Sequence, residues 1–370
     1  MKRPLLFLVC LAILTLSVSA CGGQPAATPK EPAPKPAVPK EVVVGSHGGT
    51  YEEAFRKEMI PYFEQTFKTK VVYVPGISGE TLAKIMAQKD KPQMDVAQLD
   101  DDVHFTAMKE GLLAPFDESK IPNLKYMDPV AIARGPDGKI YGIGRSLNAT
   151  GLFYNTKVFK EKGWAPPTSW LDLWDSKYKG HVTIHHISNG FGRKFFLMTN
   201  KIVGGDENNV DPGFKKVAQL VPSVITIDKF SDTIALIQSG EAWIGTWGLD
   251  RIRNLQVTAN VPIEWVLPKE GVIGGPAMLC IVKNCPHPEE AHAYVNNMLD
   301  KRWMYECYFK LLGATPLNTQ VVLTPEEQKL VIYGDDLKKI VPVNLDLMNK
   351  YKSAWADRWS REIDSLFGKK

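Results

Sequence analysis

From Glu41 onward the chain alternates two hydrophobic rhythms. Short apolar runs at Glu41–Gly45, Val71–Gly76 and Met94–Leu99 read as buried strands. Between the first two, Phe55, Met59, Phe63 and Phe67 recur at helical spacing on one face, with Thr50 and Glu53 as a capping box at the start and Pro61 as a bend. A loop at Ile77–Glu80 leads into a second helix through Gln88, and the third strand closes on the acidic loop Asp100-Asp101-Asp102. Strands alternating with helices predict a parallel α/β sheet, whose ligands bind beyond the carboxyl ends of the strands. Ser46–Thr50, Ile77–Glu80 and Gln98–Asp101 then share one rim.

After a Pro-Asp-Gly turn at Pro136–Gly138, the run Lys139–Asn155 is long, extended and interrupted by glycines. It reads as the first passage into a second lobe, with Arg145 and Asn148 beside the cleft. His181–Ile184, a helix from about Phe191, Val224–Ile227 and a helix to Ser239 belong to that lobe. The stretch Gly240–Val282 organises the rest: a strand at Ala242–Gly245, a Trp247-Gly248 break, a helix opening on Asp250, a strand at Pro262–Leu267, a Lys-Glu-Gly turn and a strand at Met278–Val282. Two strands with different partners predict a crossing between lobes, hence a hinge beside a cleft. Helices from Pro288 to Leu312, a loop at Gly313–Asn318 and a tail helix over Asn344–Phe367, with Leu345, Met348, Tyr351 and Trp355 on one face, complete the chain. Lobe one is expected to hold 41–146 plus 277–328, and lobe two 147–276 plus 329–370.

Composition changes this picture mainly at the N-terminus. With 370 residues, 44% hydrophobic and 23% charged, the chain is long enough for two cores. Lys2 and Arg3 precede an apolar run from Leu5 to Val18 with the layout of a secretory signal, so 1–20 is expected to be a signal peptide. Val18-Ser19-Ala20-Cys21 resembles a lipobox, which implies lipidation of Cys21 and a membrane anchor; a plain signal peptide leaving a free thiol is the alternative. Gly22–Lys40 carries six prolines and three lysines and no large apolar residue, so it reads as a tether reaching about 60 Å if extended. Cleavage would remove two basic residues and no acid, lowering the formal charge from +4 to +2. No basic stripe points to nucleic acid. Cys280, Cys285 and Cys307 cannot all pair, and a Cys280–Cys285 bridge is left open. No zinc spacing occurs, and His185-His186 would point to opposite faces of a strand. No metal or cofactor is expected, and Asn148-Ala149-Thr150 is taken as a chance glycosylation match.

Pro167-Thr168-Ser169-Trp170, Asp172-Leu173-Trp174 and Tyr178-Lys179-Gly180, together with Trp265-Val266-Leu267-Pro268-Lys269-Glu270-Gly271, resemble the extracellular solute-binding proteins of ABC importers, in the spermidine/putrescine-binding branch. The resemblance covers nearly all of Glu41 to Phe367. It implies a two-lobe α/β fold of the periplasmic-binding-protein type II, with two crossover strands and a ligand cleft between the lobes. It also implies a monomer that closes on a small-molecule solute and presents it to an ABC permease. Trp170 and Trp174, four apart, read as core. Trp247 matches an aromatic that stacks on ligand in polyamine binders, against the alternative of burial in lobe two.

The departures from that branch are as informative. Polyamine members carry a carboxylate just after the Lys-Glu-Gly turn, because a buried ammonium needs a paired anion; this chain has Gly274-Gly275-Pro276-Ala277. The acids expected after His181–Ile184 are replaced by His185 to Gly190, and the aromatic first loop by Ser46 to Thr50. Candidate ligand contacts are therefore Ser46, His47, Gly48, Thr50, Ser78, Gln98, Asp100, Arg145, Asn148, Ser188, Asn189, Trp247, Asp250, Arg251 and Gly275. Backbone donors at Ser46–Thr50 with Arg145, Arg251 and His47 suit an organic anion or zwitterion such as a carboxylate or phosphonate. Arg251 reads equally well as a solvated residue paired with Asp250. Asp100, Asp101 and Asp250 favour the alternative, a polyamine. Thiamine and ferric ion are further alternatives, although no paired-tyrosine signature accompanies Tyr51. A secreted hydrolase using the cleft would need a nucleophile elbow, a metal-binding His pair or a P-loop, and the chain has none of these motifs. A sensor that hands its ligand to a signalling partner would use the same chemistry as an importer.

Overall fold

The computed structural model describes residues 40–229 and 231–367. The signal segment, Cys21 and the tether up to Pro39 lie outside the described residues, as does the side chain of Thr50.

Twelve strands run through the described residues: β1 (Glu41–Ser46), β2 (Lys70–Pro75), β3 (Val96–Leu99), β4 (Leu113–Ala114), β5 (Ile132–Arg134), β6 (Ile140–Asn155), β7 (Val182–His185), β8 (Val224–Asp228), β9 (Ile244–Gly248), β10 (Ile263–Val266), β11 (Ile273–Val282) and β12 (Thr315–Pro316). Their path is β2-β1-β3-β11-β6-β9-β7-β8. The two ends mirror each other. β2, β1 and β3 run parallel and are flanked by the antiparallel β11, and β8, β7 and β9 run parallel and are flanked by the antiparallel β6. This is the expected two-lobed α/β architecture, and β6 and β11 are its two crossovers. β11 lies along β6 from Ile273 to Leu279 and beside β3 from Met278 to Ile281. β6 pairs with β5 and β12 in its first half and with β9 and β10 in its second.

Several boundaries moved. β9 runs through Trp247 and Gly248 rather than breaking there, so the helix Leu249–Ala259 starts one residue before Asp250. β11 begins at Ile273 because Gly274 and Gly275 lie flat against β6; a Cβ at Gly274 would sit 2.8 Å from Ala149 Cβ. Asp100 to Asp102 are not a loop: Asp100 precedes the helix Asp101–Lys109, and the two following acids suit the positive end of its dipole. Gly49, at a φ of 64°, precedes the first helix, so Thr50 is its first residue rather than its cap. That helix widens to π geometry over Phe55–Met59, the turn before Pro61, whose ring cannot follow a regular hydrogen-bonded ladder.

The two motifs that carried the resemblance meet in space. Lys269 N donates to Thr168 O at 2.9 Å, Trp170 Nε1 to Gly271 O at 2.9 Å, and the Ser169 hydroxyl to Glu270. Trp170, 1% exposed, is core, as its spacing predicts. Trp174 packs on the same core and donates to Lys216 O. The clamp joins segments 101 residues apart. The tail helix Leu345–Trp359 buries Met348, Trp355 and Trp359, and the turn after it ties back through Asp364 to His186 at 3.2 Å. Cys280, Cys285 and Cys307 are free thiols. Among the described residues no helix is long and apolar enough to cross a membrane.

Candidate ligand-binding cleft

A cleft of about 300 Å³ opens beside the crossover strands. β6 supplies Arg145, Ser146 and Asn148, β11 supplies Gly275 to Ala277, and helix starts supply most of the rest: Tyr51, Ser78, Asp101 to Val103, Gly190, Phe191, Arg193 and Lys194, and Asp250 with Arg251. Met348 enters from the tail helix.

A bulge in β6 aims its key side chain. Ala277 pairs with Ser146 and Met278 with Gly144, so Arg145 has no partner in the ladder. Residues three apart on a regular strand face opposite sides; the extra residue lets Arg145 and Asn148 both reach the cleft. Arg145 is 1% exposed. Its guanidinium lies over Tyr51 at 4.8 Å, Tyr308 at 5.2 Å and Phe55 at 5.7 Å. Nε and Nη1 are buried and have no hydrogen-bond partner among the described residues.

The other cations have anions. Arg193 Nη2 is 3.1 Å from Asp102, and Lys194 Nζ 3.6 Å from Asp101. Arg251 Nε lies 3.8 Å from Asp250. Two helix starts thus face each other, acids on one and bases on the other. Gly275 makes room for this: a Cβ there would fall 1.9 Å from Asp101 Oδ2. Asp101 therefore fills the space beside Gly275, and it is already paired with Lys194. Burial pushes the Asp101 carboxyl upward against the pull of Lys194, and it lowers the Lys194 amine less than the nearby carboxylates raise it.

His47 Nε2 lies 3.6 Å from Asp100 and 3.4 Å from the Ser78 hydroxyl, which also accepts from Asp100 N. Burial opposes ionisation of Asp100, yet His47 and Ser78 hold its carboxyl well below the usual carboxylate range. The Tyr51 phenol is pushed up to about 12, first by burial and then by Asp250, while Arg145 and Arg251 pull it back.

Of the predicted contacts, His47, Ser78, Asp100, Arg145, Asn148, Asp250, Arg251 and Gly275 line the cleft. Ser46 and Gln98 sit beneath it, bonded to each other at 2.6 Å. Gly48 lies outside the wall. Ser188 is occupied by His186, and Asn189 caps the helix Gly190–Ile202 through Gly192 N. Trp247, 6% exposed, packs behind the wall on His185 and Phe191 rather than in it. The sequence reading missed Tyr51, Asp102, Phe191, Arg193, Lys194 and Met348. Two signals were available: Tyr51 continues the Phe55 face by one turn, and Arg193-Lys194 near a helix start oppose the dipole unless anions face them.

Residues 58–333 match the family of bacterial extracellular solute-binding proteins. The spermidine/putrescine-binding periplasmic protein 1 of Haemophilus influenzae is 27% identical over 260 residues, 68% of this chain and 70% of that one. Among solved structures, an ABC transporter protein of Clostridium perfringens superposes with a TM-score of 0.73 at 23% identity, covering 87% of this chain and 99% of its own. A spermidine/putrescine substrate-binding protein of Streptococcus pneumoniae, solved with calcium and HEPES, gives 0.72 at 18% identity over 88% and 98%. With three quarters of its length in the family match and the fold shared over 87% of it, the chain belongs to the bacterial extracellular solute-binding proteins.

Proposed function

We propose that this protein captures a small organic anion or zwitterion, such as a carboxylate or phosphonate, and delivers it to an ABC permease as a monomeric receptor rather than an enzyme. Lobe one (41–146 plus 277–328) and lobe two (147–276 plus 329–370) close on the solute, and the lipid on Cys21 holds the body at the outer face of the membrane. The observation that carries the ligand class is Arg145. A buried charge without a counterion is strongly unfavourable, so a guanidinium 1% exposed with two unpartnered nitrogens in a cleft calls for an anion. Arg193 and Lys194 do not compete for it, because Asp102 and Asp101 already hold them.

Polyamine binding is the second reading, favoured by the Haemophilus relative and by the acids at Asp100 and Asp250. Thermal unfolding against carboxylates, phosphonates, putrescine and spermidine separates the two. A ligand at a hundredfold its dissociation constant adds about 2.7 kcal/mol. Stabilisation by an anion or zwitterion and not by polyamines is the expected result; stabilisation by polyamines alone would sink the proposal.

A further inference from the structure

The cleft carries a second unmet demand, away from Arg145. Asp250, in the first turn of the helix Leu249–Ala259, is 5% exposed, and its Oδ1 is buried with no hydrogen-bond partner among the described residues. Its Oδ2 has Arg251 Nε at 3.8 Å, beyond hydrogen-bond range. Asn148 on β6 likewise presents a buried Oδ1 without a partner. Both oxygens border the space that Gly248 leaves by having no side chain: a Cβ there would lie 2.7 Å from Asp250 Oδ1, 3.2 Å from Asn148 Oδ1 and 2.5 Å from Phe191 Cε1. Two neighbouring acceptors, one of them an anion, need a donor, and an ammonium satisfies both their geometry and their charge.

Arg145 and Asp250 serve one cavity. Both line it, as does Tyr51, whose ring lies 4.8 Å from the Arg145 guanidinium. We propose that the ligand is bipolar: an amino-bearing organic anion whose carboxylate or phosphonate lies on Arg145 and whose ammonium lies between Asp250 and Asn148. This rests on the anionic reading of the cleft and narrows it. A simple anion would leave Asp250 buried and unsatisfied, and a diamine would leave Arg145 unpaired and add repulsion. A zwitterion answers both and brings in no net charge. Arg145 and Asn148 stand three residues apart on β6, about 10 Å along the strand, so the ligand's carbon chain is short.

The test is calorimetric titration of the full-length chain with three matched series. The bipolar series is β-alanine, γ-aminobutyrate, δ-aminovalerate and aminoethylphosphonate; the des-amino series is propionate, butyrate, valerate and ethylphosphonate; the diamines are putrescine and cadaverine. At least one bipolar compound is expected to bind about tenfold or more tightly than its des-amino counterpart and than either diamine. Asp250→Asn should bring that compound down to the affinity of its des-amino counterpart. Asn148→Ala, which removes the second acceptor without adding bulk, should weaken the same compound and guards against a folding defect in either variant alone. Equal binding of the des-amino compound to the wild-type chain overturns the bipolar assignment and leaves the anionic reading standing. Tightest binding by a diamine overturns both, and no binding by any bipolar compound overturns this inference.

Discussion

Two groups of basic side chains face the same cleft under opposite conditions. Arg193 and Lys194, 15% and 19% exposed at the side chain, each have a carboxylate within 4 Å. Arg145, more deeply buried than either, has none among the described residues. Burial ordinarily runs the other way, since the best covered charge is the one most in need of a counterion. The difference separates two uses of charge. Paired groups set how the walls meet across the cleft, and the unpaired one is a vacancy in the protein's own electrostatics that a ligand completes.

The largest expected effect comes from removing the unpaired cation. Arg145→Met keeps an unbranched side chain against Tyr51, Phe55 and Tyr308 while deleting the charge. Affinity for an anionic ligand should fall by about a hundredfold or more, the scale of losing a buried charge-assisted contact. Stability of the ligand-free chain should stay near wild type or rise, because replacing a buried charge by an apolar group is often neutral or stabilising by about 1–4 kcal/mol. Urea unfolding and titration on the same preparation check both halves. A variant that loses stability and keeps its affinity would make Arg145 a structural residue.

How much of this could be read from the chain differs between fold and site for one reason. Elements set by local period were legible: the β1 and β2 strands, the helix carrying Phe55 and Phe63, and the long β6. Boundaries set by pairing were not. The stretch Gly274 to Ala277 reads as a loop until β6 lies beside it, and Trp247-Gly248 reads as a break until Gly151 and Thr150 pair with it. In the cleft, Arg145 and Asn148 were found because Lys139–Asn155 reads as the passage between lobes, and Asp250 because it opens a helix after Trp247-Gly248. That Arg145 faces inward depends on a bulge, and that Asp101 reaches the cleft wall beside β11 depends on Gly275. Neither register nor close approach is written in a single segment.

Gly275 permits a direct conversion of one group into the other. Gly275→Ala places a methyl 1.9 Å from Asp101 Oδ2 and 2.6 Å from its Cβ, so the carboxylate must move and Lys194 loses its anion. The loss should be about 2 kcal/mol, a typical overpacking penalty. Lys194→Met in the same background should recover part of it, because the cation then no longer needs a partner. Unchanged unfolding of the single variant would mean that Asp101 can relax without consequence.

The Asp102–Arg193 pair, with side chains 14% and 15% exposed, allows a smaller and cleaner measurement. A double-mutant cycle with Asp102→Asn and Arg193→Met should give a coupling of about 1 kcal/mol, above that of a fully exposed pair. The coupling should shrink with added salt, since the pair is not fully shielded from solvent. A coupling indistinguishable from zero would remove the argument that Asp102 keeps Arg193 from the ligand.

Arg251 tests where the division between the groups falls. Its side chain is half exposed, and its Nε stands 3.8 Å from Asp250, too far for a hydrogen bond. The neighbouring Asp250 raises its proton affinity, so it stays charged throughout the working range. A half-solvated cation at this distance contributes little, and Arg251→Ala should change unfolding free energy by less than about 0.5 kcal/mol. Its effect on an anionic ligand should likewise be only severalfold, far below that of Arg145→Met, because water screens what it offers. Matched titrations of the two variants decide the point. If Arg251→Ala costs as much affinity as Arg145→Met, the anion sits between the two arginines, and burial alone does not pick out the ligand's partner.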